Sequence, residues 1–384
     1  MVGITRFPLI ALDKFKKEED SKEWMHRLAV HGVDLRSTGK LVEFLTQFKK
    51  DYKRIDIIIN NAAQTIHRPP HYYKHLLDQE DYLQSIQDGS NSADHQIILS
   101  PAIQMQLESF PSSQATQIPI IPADREDNAH YFPPNKTDVD GEPLDARPKT
   151  SWSTKLGEVN YGEVLETHLI NVIAPFTILN ELMPLIHQRY PVYSMPECPD
   201  DLEELEESKK VAWEKYKAYI GIPDPGPPLS RANSMEELFD WPEVPKGCTK
   251  NRYSGFWELT SGRRRKIIVN VTSPEGQFIP VTDNMLHIPQ KKGFHPHTDM
   301  AKAALNMLTC TSANDLARYD CYIFSVDSGW FTDMRPLSSS PVKVPLTTSE
   351  AAARVLQPVF DYISPFTKVK SYGCLLRNFA PVPW

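Results

Sequence analysis

The sequence predicts an α/β fold with a parallel, doubly wound sheet. Three observations predict it. Strand-like apolar runs alternate with segments of helical periodicity, the pattern of successive βα units. One run, Ile55-Asp56-Ile57-Ile58-Ile59, is nearly continuous in apolar residues, which suits a parallel strand covered on both faces. That run ends abruptly in Asn60-Asn61-Ala62-Ala63. Small residues let a ligand approach the backbone, an Asn amide can tie neighbouring strands together, and open α/β sheets bind ligands just past the carboxyl ends of their strands. Residues 1–384 read as one domain carrying two long insertions, at about 64–150 and 191–262.

In chain order, Val2 to Thr5 reads as the end of a strand, followed by Arg6-Phe7-Pro8. Residues 9–27 read as helical and charged, and Leu28 to Val33 as a second strand ending at Asp34-Leu35-Arg36. Ser37 is placed to cap a helix reaching Lys53, with Leu41, Val42, Phe44, Leu45 and Phe48 at helical spacing. The strand 55–59 follows. Residues 64–150, rich in Pro, Asp, Gln and Ser, break the rhythm; His71 to Gln87 reads as helical and the remainder as surface loop, of the kind that often forms a lid. Glu158 to His187 is a long amphipathic helix with Pro175 as a possible kink. The insertion at 191–262 holds an acidic run from Asp200 to Glu207, which reads as a solvated helix face. Lys266 to Val271 is the next strand, then a helix His297 to Leu316, a strand Cys321 to Val326, and a helix to Tyr362 that opens on the capping box Thr347-Thr348-Ser349-Glu350.

Composition excludes several classes. A net charge of −7 argues against nucleic acid as the main partner, because phosphate binding needs a basic surface. The five cysteines are scattered, odd in number and without CxxC, which points to free thiols in a reducing compartment and away from a metal site. The longest apolar stretch, Leu165 to Ile186, is interrupted by Glu166, His168, Asn171 and Glu181, so no membrane span is expected. The first residues lack the basic start and cleavage site of a signal peptide, and a cytoplasmic protein is the default expectation.

The motifs Asp34-Leu35, Asn60-Asn61-Ala62-Ala63, Asn171 in Ile-Asn-Val-Ile-Ala-Pro-Phe, Ile268 to Ser273, Lys302-Ala303-Ala304, and Gly329-Trp330 with Thr332 occur in the order found in one family. On these residues the chain resembles the short-chain dehydrogenases/reductases, over nearly its whole length outside the insertions. The resemblance implies a Rossmann-type NAD(P) site. In it Asp34, next to Leu35, would bond the adenine amino group, and Asn61, Ala62 and Ala63 would line the adenosine pocket. Lys302 would hold the nicotinamide ribose, and Gly329, Trp330 and Thr332 would lie along the nicotinamide amide. Arg6 sits where a cation can pair with a 2′-phosphate, favouring NADP over NAD; it reads equally well as a surface charge.

The resemblance further implies Ser273 as the residue that orients substrate, Asn171 as the helix Asn of the proton relay, and Lys302 as the catalytic Lys. The family's Tyr is absent: four residues before Lys302 stands Thr298, in His295-Pro296-His297-Thr298. A Thr hydroxyl is too weak an acid to replace a phenol, whereas His297 or His295, with an ordinary pKa of about 6.5, suits proton donation. Thr298 reads alternatively as the N-cap of the helix, with the His side chains on the loop surface. The family's Gly-rich first turn is also absent, so the chain opens at what corresponds to the family's second strand, and a gap in the sheet is expected beside strand 55–59. A shortened form, a gap filled by another segment, and a repurposed protein all fit. The expected function is hydride transfer between NADP(H) and a small carbonyl or alcohol substrate, without nucleic acid or membrane, in a homodimer or homotetramer paired through helices 158–187 and 297–316. The rival is a degenerate relative that binds or scaffolds without turnover.

Overall fold

The computed structural model describes residues 1–89, 111–134, 136–138, 142–188, 265–278, 293–336, 343–363 and 371–384. The expected insertion 191–262, with its acidic run, lies outside them. Strands β1 (Val2–Thr5) and β2 (Ala29–Gly32) pair in parallel as one small sheet. A second sheet has the order β3-β4-β5-β6-β7, formed by Ile57–Asn60, Lys266–Thr272, Cys321–Asp327, Leu375–Arg377 and Ala380–Val382. Its first four strands are parallel and the last is antiparallel. Among the described residues no strand joins β1 to β3, which is the break expected beside strand 55–59. β6 and β7 had no counterpart in the sequence reading, because three-residue strands are too short to show a period.

The helices are α1 (Pro8–Lys16), α2 (Ser21–Trp24), α3 (Thr38–Asp51), α4 (Pro70–Gly89), α5 (Tyr161–His168), α6 (Ala174–Ile186), α7 (Pro296–Ala317) and α8 (Thr348–Tyr362). The single helix expected over 9–27 is two, separated by Lys17 to Asp20 and followed by a 3₁₀ turn at Met25–Arg27. Ser37 stands at the N-cap of α3, yet its side chain makes no capping bond. The Thr347–Glu350 box does form, with each side chain bonded to the other's backbone N–H. α5 and α6 are one continuous rod interrupted by a π-turn, Leu169–Ile173. The irregularity falls just ahead of Pro175, whose missing N–H cannot bond back into the helix. By length and apolar content alone the rod Tyr161–Ile186 is long enough to cross a membrane, a test that core helices also pass. Here it packs on the sheet, and Glu166 and Asn171 on it are buried.

Helices cover the main sheet on both faces. On one, α3, α6 and α7 bury Leu41, Phe44, Leu45, Leu182, Ile186 and Leu316 against Ile58, Ile268 and Ile323. On the other, Val355 and Val359 of α8 pack on Ile267, Val269, Phe324 and Val326. The second cover stops short of β3. Ile57 and Ile59 lie beside Ile267 and Val269 in register, but they are 41% and 37% exposed. Strand 55–59 was expected to be buried on both faces; only the Ile58 side is. A third cluster joins α1 to the first insertion, with Phe7 and Ile10 against Tyr72, Tyr73, Leu77 and Phe132.

A buried polar ladder runs under the crevice floor. Asn60 Nδ2 donates to Asn270 Oδ1 (2.7 Å) and Asn270 Nδ2 to Thr309 Oγ1 (2.9 Å), which also accepts from Ser325 Oγ (2.9 Å). β3, β4, β5 and α7 are thus tied by side chains as well as by the sheet. Asn270→Ala removes two of these bonds and leaves Asn60 Nδ2 without its acceptor. We expect a loss of about 3 kcal/mol, read from the urea midpoint at unchanged m-value.

Candidate functional site

The site elements gather at the carboxyl ends of β3, β4 and β5. Asn61, Ala62 and Ala63 follow β3 and are exposed. Ser273 follows β4 and begins a 3₁₀ turn, Pro274–Gly276. Gly276 is required there: a Cβ would lie 2.7 Å from the Lys302 carbonyl carbon and from Asn306 Nδ2, so only glycine lets this turn rest on α7. Asp327 closes β5, and its Oδ1 accepts from Gly329 N (2.9 Å) while Arg377 Nε donates to Oδ2 (2.7 Å). Gly329 takes φ +81°, and Trp330 Nε1 donates to Thr332 O at 3.0 Å, folding Gly329 to Thr332 into a compact turn.

Lys302 is buried on α7, and its Nζ donates to Val271 O at 3.0 Å, one residue before Thr272 and two before Ser273. Burial lowers its pKa to about 8, with Glu275 and Asp327 pulling the other way. Asn171 lies on the π-turn, 1% exposed. Its Oδ1 accepts from Gln64 N (2.7 Å) and its Nδ2 donates to Gln64 O (2.8 Å), so the amide clamps the loop that follows Ala63.

The start of α7 corrects two expectations. Thr298 is not the N-cap; His295 is, in the left-handed region at φ 40°. Nor are the His side chains loop surface. His297 and Thr298 are each 2% exposed, and His295 stacks on Trp152 with Nδ1 against Trp152 O at 2.7 Å. Burial, assisted by repulsion from His295, lowers the His297 pKa to about 4, so at neutral pH the ring is neutral and holds no imidazolium proton to give. Thr298 Oγ1 and Thr272 Oγ1 are buried without a hydrogen-bond partner among the described residues.

At the other end of the crevice, the side chains satisfy one another. Arg36 grips Asp34 through Nε and Nη2 (2.5–3.0 Å), reaches Glu166 Oε1 (3.1 Å) and donates to Ala115 O (2.9 Å). Glu166 Oε2 meets His67 Nδ1 at 2.6 Å, and His67 Nε2 meets Asp124 Oδ1 at 2.8 Å. Asp124 Oδ2 in turn accepts from the backbone N–H groups of Ile120 and Ile121. Leu35, expected beside Asp34 in the cofactor pocket, packs against the core. Arg6 donates to Tyr73 Oη (3.1 Å) and lies over its ring, and Ser112 Oγ bonds the Arg6 carbonyl. Close by, the Glu80 carboxylate accepts from Leu9 N and Ile10 N (2.9 Å each) in the first turn of α1, placing a negative charge on that helix end.

Sequence reasoning missed Arg36, Gln64, His67, Asp124 and Glu166. The pairs Arg36–Glu166, Gln64–Asn171, His67–Glu166 and His67–Asp124 lie 57 to 130 residues apart in the chain, which no local period reveals. The one local signal was Arg36, two residues after a site Asp. For a nicotinamide dinucleotide the two ends differ. The nicotinamide end offers the buried Lys302 ammonium on Val271 O and, next to Ser273, the Thr272 hydroxyl, which has no hydrogen-bond partner among the described residues. At the adenosine end the Asp34 carboxylate is already engaged by Arg36, whose Nη2 also donates to Ala115 O.

No protein-family model matches the chain, and no curated protein matches it significantly. Solved structures similar to it include a short-chain dehydrogenase from Streptomyces avermitilis (11% identity, TM-score 0.37, covering 96% of this chain and 69% of that one). NADPH-bound carbonyl reductase from chicken fatty liver is 10% identical, with TM-score 0.42 and coverage of 100% and 87%. The carbonyl reductase Sniffer of D. melanogaster is 14% identical, with TM-score 0.42 and coverage of 100% and 86%. On its own strand order and motifs, the chain has a Rossmann-type fold resembling that of the short-chain dehydrogenases/reductases.

Proposed function

We propose that the chain is an oxidoreductase that moves a hydride between NADP(H) and a carbonyl or alcohol carbon. One observation carries the reading: a buried lysine, Lys302, bonds Val271 O near the carboxyl end of β4, two residues before Ser273, from the helix whose first turn carries Thr298. The nicotinamide would supply the hydride chemistry. Lys302 and the Gly329 to Thr332 turn would hold its end of the cofactor, and Ser273 would orient the substrate oxygen. Charge developing on that oxygen would be stabilised by the Lys302 ammonium in a site of low polarity. Asn171 spends its amide on Gln64 and acts as a positioning residue. A homodimer or homotetramer through α5, α6 and α7 belongs to the same reading, supported by the exposed apolar side chains Leu165, Phe176, Met300 and Met307.

The second reading, a binding or scaffold protein without turnover, is favoured by the Arg36–Asp34 bond and by the neutral His297. Calorimetric titration of NADPH and NADH into the 384-residue chain separates the two. Saturable NADPH binding is expected under the first reading, and no heat at millimolar cofactor rejects it for this chain.

A further inference from the structure

Gln64, Thr272 and Thr298 each bury a side-chain polar atom without a hydrogen-bond partner among the described residues: Nε2, Oγ1 and Oγ1. An unpartnered buried donor costs about 1–3 kcal/mol, and such groups collect where a ligand completes them.

Gln64 is the most firmly placed of the three. Its N–H and C=O are both held by Asn171, at 2.7 and 2.8 Å. Three residues on, His67 N donates to Ser151 Oγ at 2.9 Å, and its ring sits between Glu166 and Asp124. Loop 64–67 is therefore clamped at both ends. The Gln64 side chain is 9% exposed, and the clamp leaves its N–H₂ uncommitted. The Thr65 backbone faces the His297 ring, which brings this loop to the first turn of α7. Thr298 and Lys302, four residues apart there, share a helix face. A donor positioned by its backbone needs no reorganisation when a ligand arrives.

We propose that Gln64 is a substrate-binding residue whose side-chain N–H₂ donates to an acceptor oxygen of a small carbonyl compound, beside the Thr298 hydroxyl. That this oxygen is the reacting one rests on the oxidoreductase reading; that Gln64 binds it does not. An amide and a hydroxyl polarise an oxygen without surrendering a proton, which suits a site where Thr298 stands four residues before Lys302.

The test uses the full 384-residue chain with ¹⁵N-labelled glutamine side chains, titrated with benzaldehyde in the absence of cofactor. The Gln64 N–H₂ resonance is identified by its loss in Gln64→Met, a substitution that keeps the volume and leaves the backbone clamp intact. The expected result is a saturable shift of that resonance, with benzaldehyde binding weakened about fivefold in Gln64→Met, the worth of one neutral hydrogen bond. A resonance unmoved by benzaldehyde up to its solubility limit, or unchanged affinity in Gln64→Met, overturns the assignment. NADPH titration of the same samples reports separately. Loss of NADPH binding with the shift intact rejects the oxidoreductase reading alone, and NADPH binding with no shift rejects the Gln64 assignment alone.

Discussion

His67→Ala should destabilise the fold by about 4 kcal/mol, the cost of removing one partner from a buried ionic cluster. The ring is 5% exposed and bonded at both nitrogens by carboxylates, Glu166 at 2.6 Å and Asp124 at 2.8 Å. Burial alone would lower its pKa; the two carboxylates outweigh burial and raise it to about 9. Both ring nitrogens are then donors, and the imidazolium is the charged link between them. Removing it leaves Asp124, whose pKa is held below the ordinary value by His67 and the backbone N–H groups, without its main partner. Asp124 would recover toward the ordinary range, and the 120–124 turn it organises would loosen from the core. His67→Gln, which can satisfy one carboxylate, should lose about half as much.

The same cluster sets a pH dependence. A folded pKa near 9 against an unfolded value of 6.5 means the stabilising contribution is complete below pH 6.5. It fades as the pH rises through 9. The difference in unfolding free energy between the wild type and His67→Ala should therefore shrink by about 3 kcal/mol between pH 6.5 and 9.5. Urea titrations at several pH values measure it. A difference independent of pH would mean that the ring is neutral in the folded state.

What the sequence disclosed follows from how local each signal was. The parallel order, the strands at 266–271 and 321–326 and the helices at 71–87 and 297–316 rest on runs long enough to show their period. Asn60 was legible as a strand tie because it closes an apolar run with an amide, and its bond to Asn270 of β4 is the result. The burial of Ile57 and Ile59 was misread. An apolar run implies cover on both faces, but α8 reaches only as far as β4, a tertiary fact. The first insertion was read as surface loop because its composition is polar. Its polarity instead lies inside, where His67 and Asp124 meet Glu166. Composition counts charges and cannot tell which ones will face one another. Thr298 and His297 were legible as anomalies at the place of a Tyr, and only burial distinguishes a loop-surface His from one kept neutral.

Lys302→Met should raise stability while removing function, a combination a merely structural lysine would not give. Burial lowers the Lys302 pKa from 10.5 to about 8. At pH 7 the folded protein therefore carries a buried cation at a cost near 3 kcal/mol, and wild-type stability should rise as the pH passes from 8 to 10.5 because the unfolded chain then binds more protons. Methionine fills the same space without charge. It forfeits the bond to Val271 O, worth about 1 kcal/mol, so the net gain at pH 7 should be about 2 kcal/mol and the rise between pH 8 and 10.5 should vanish. Under the oxidoreductase reading the same variant loses the cation beside the reacting oxygen and turns over about 10²–10³ times more slowly with NADPH. Thermal unfolding and single-turnover kinetics on one preparation give both numbers. Greater stability with lost NADPH turnover marks a charge kept for chemistry against the interest of the fold. Lower stability would place Lys302 among the groups that hold α7 to β4, and the case for the active site would then lose its central residue.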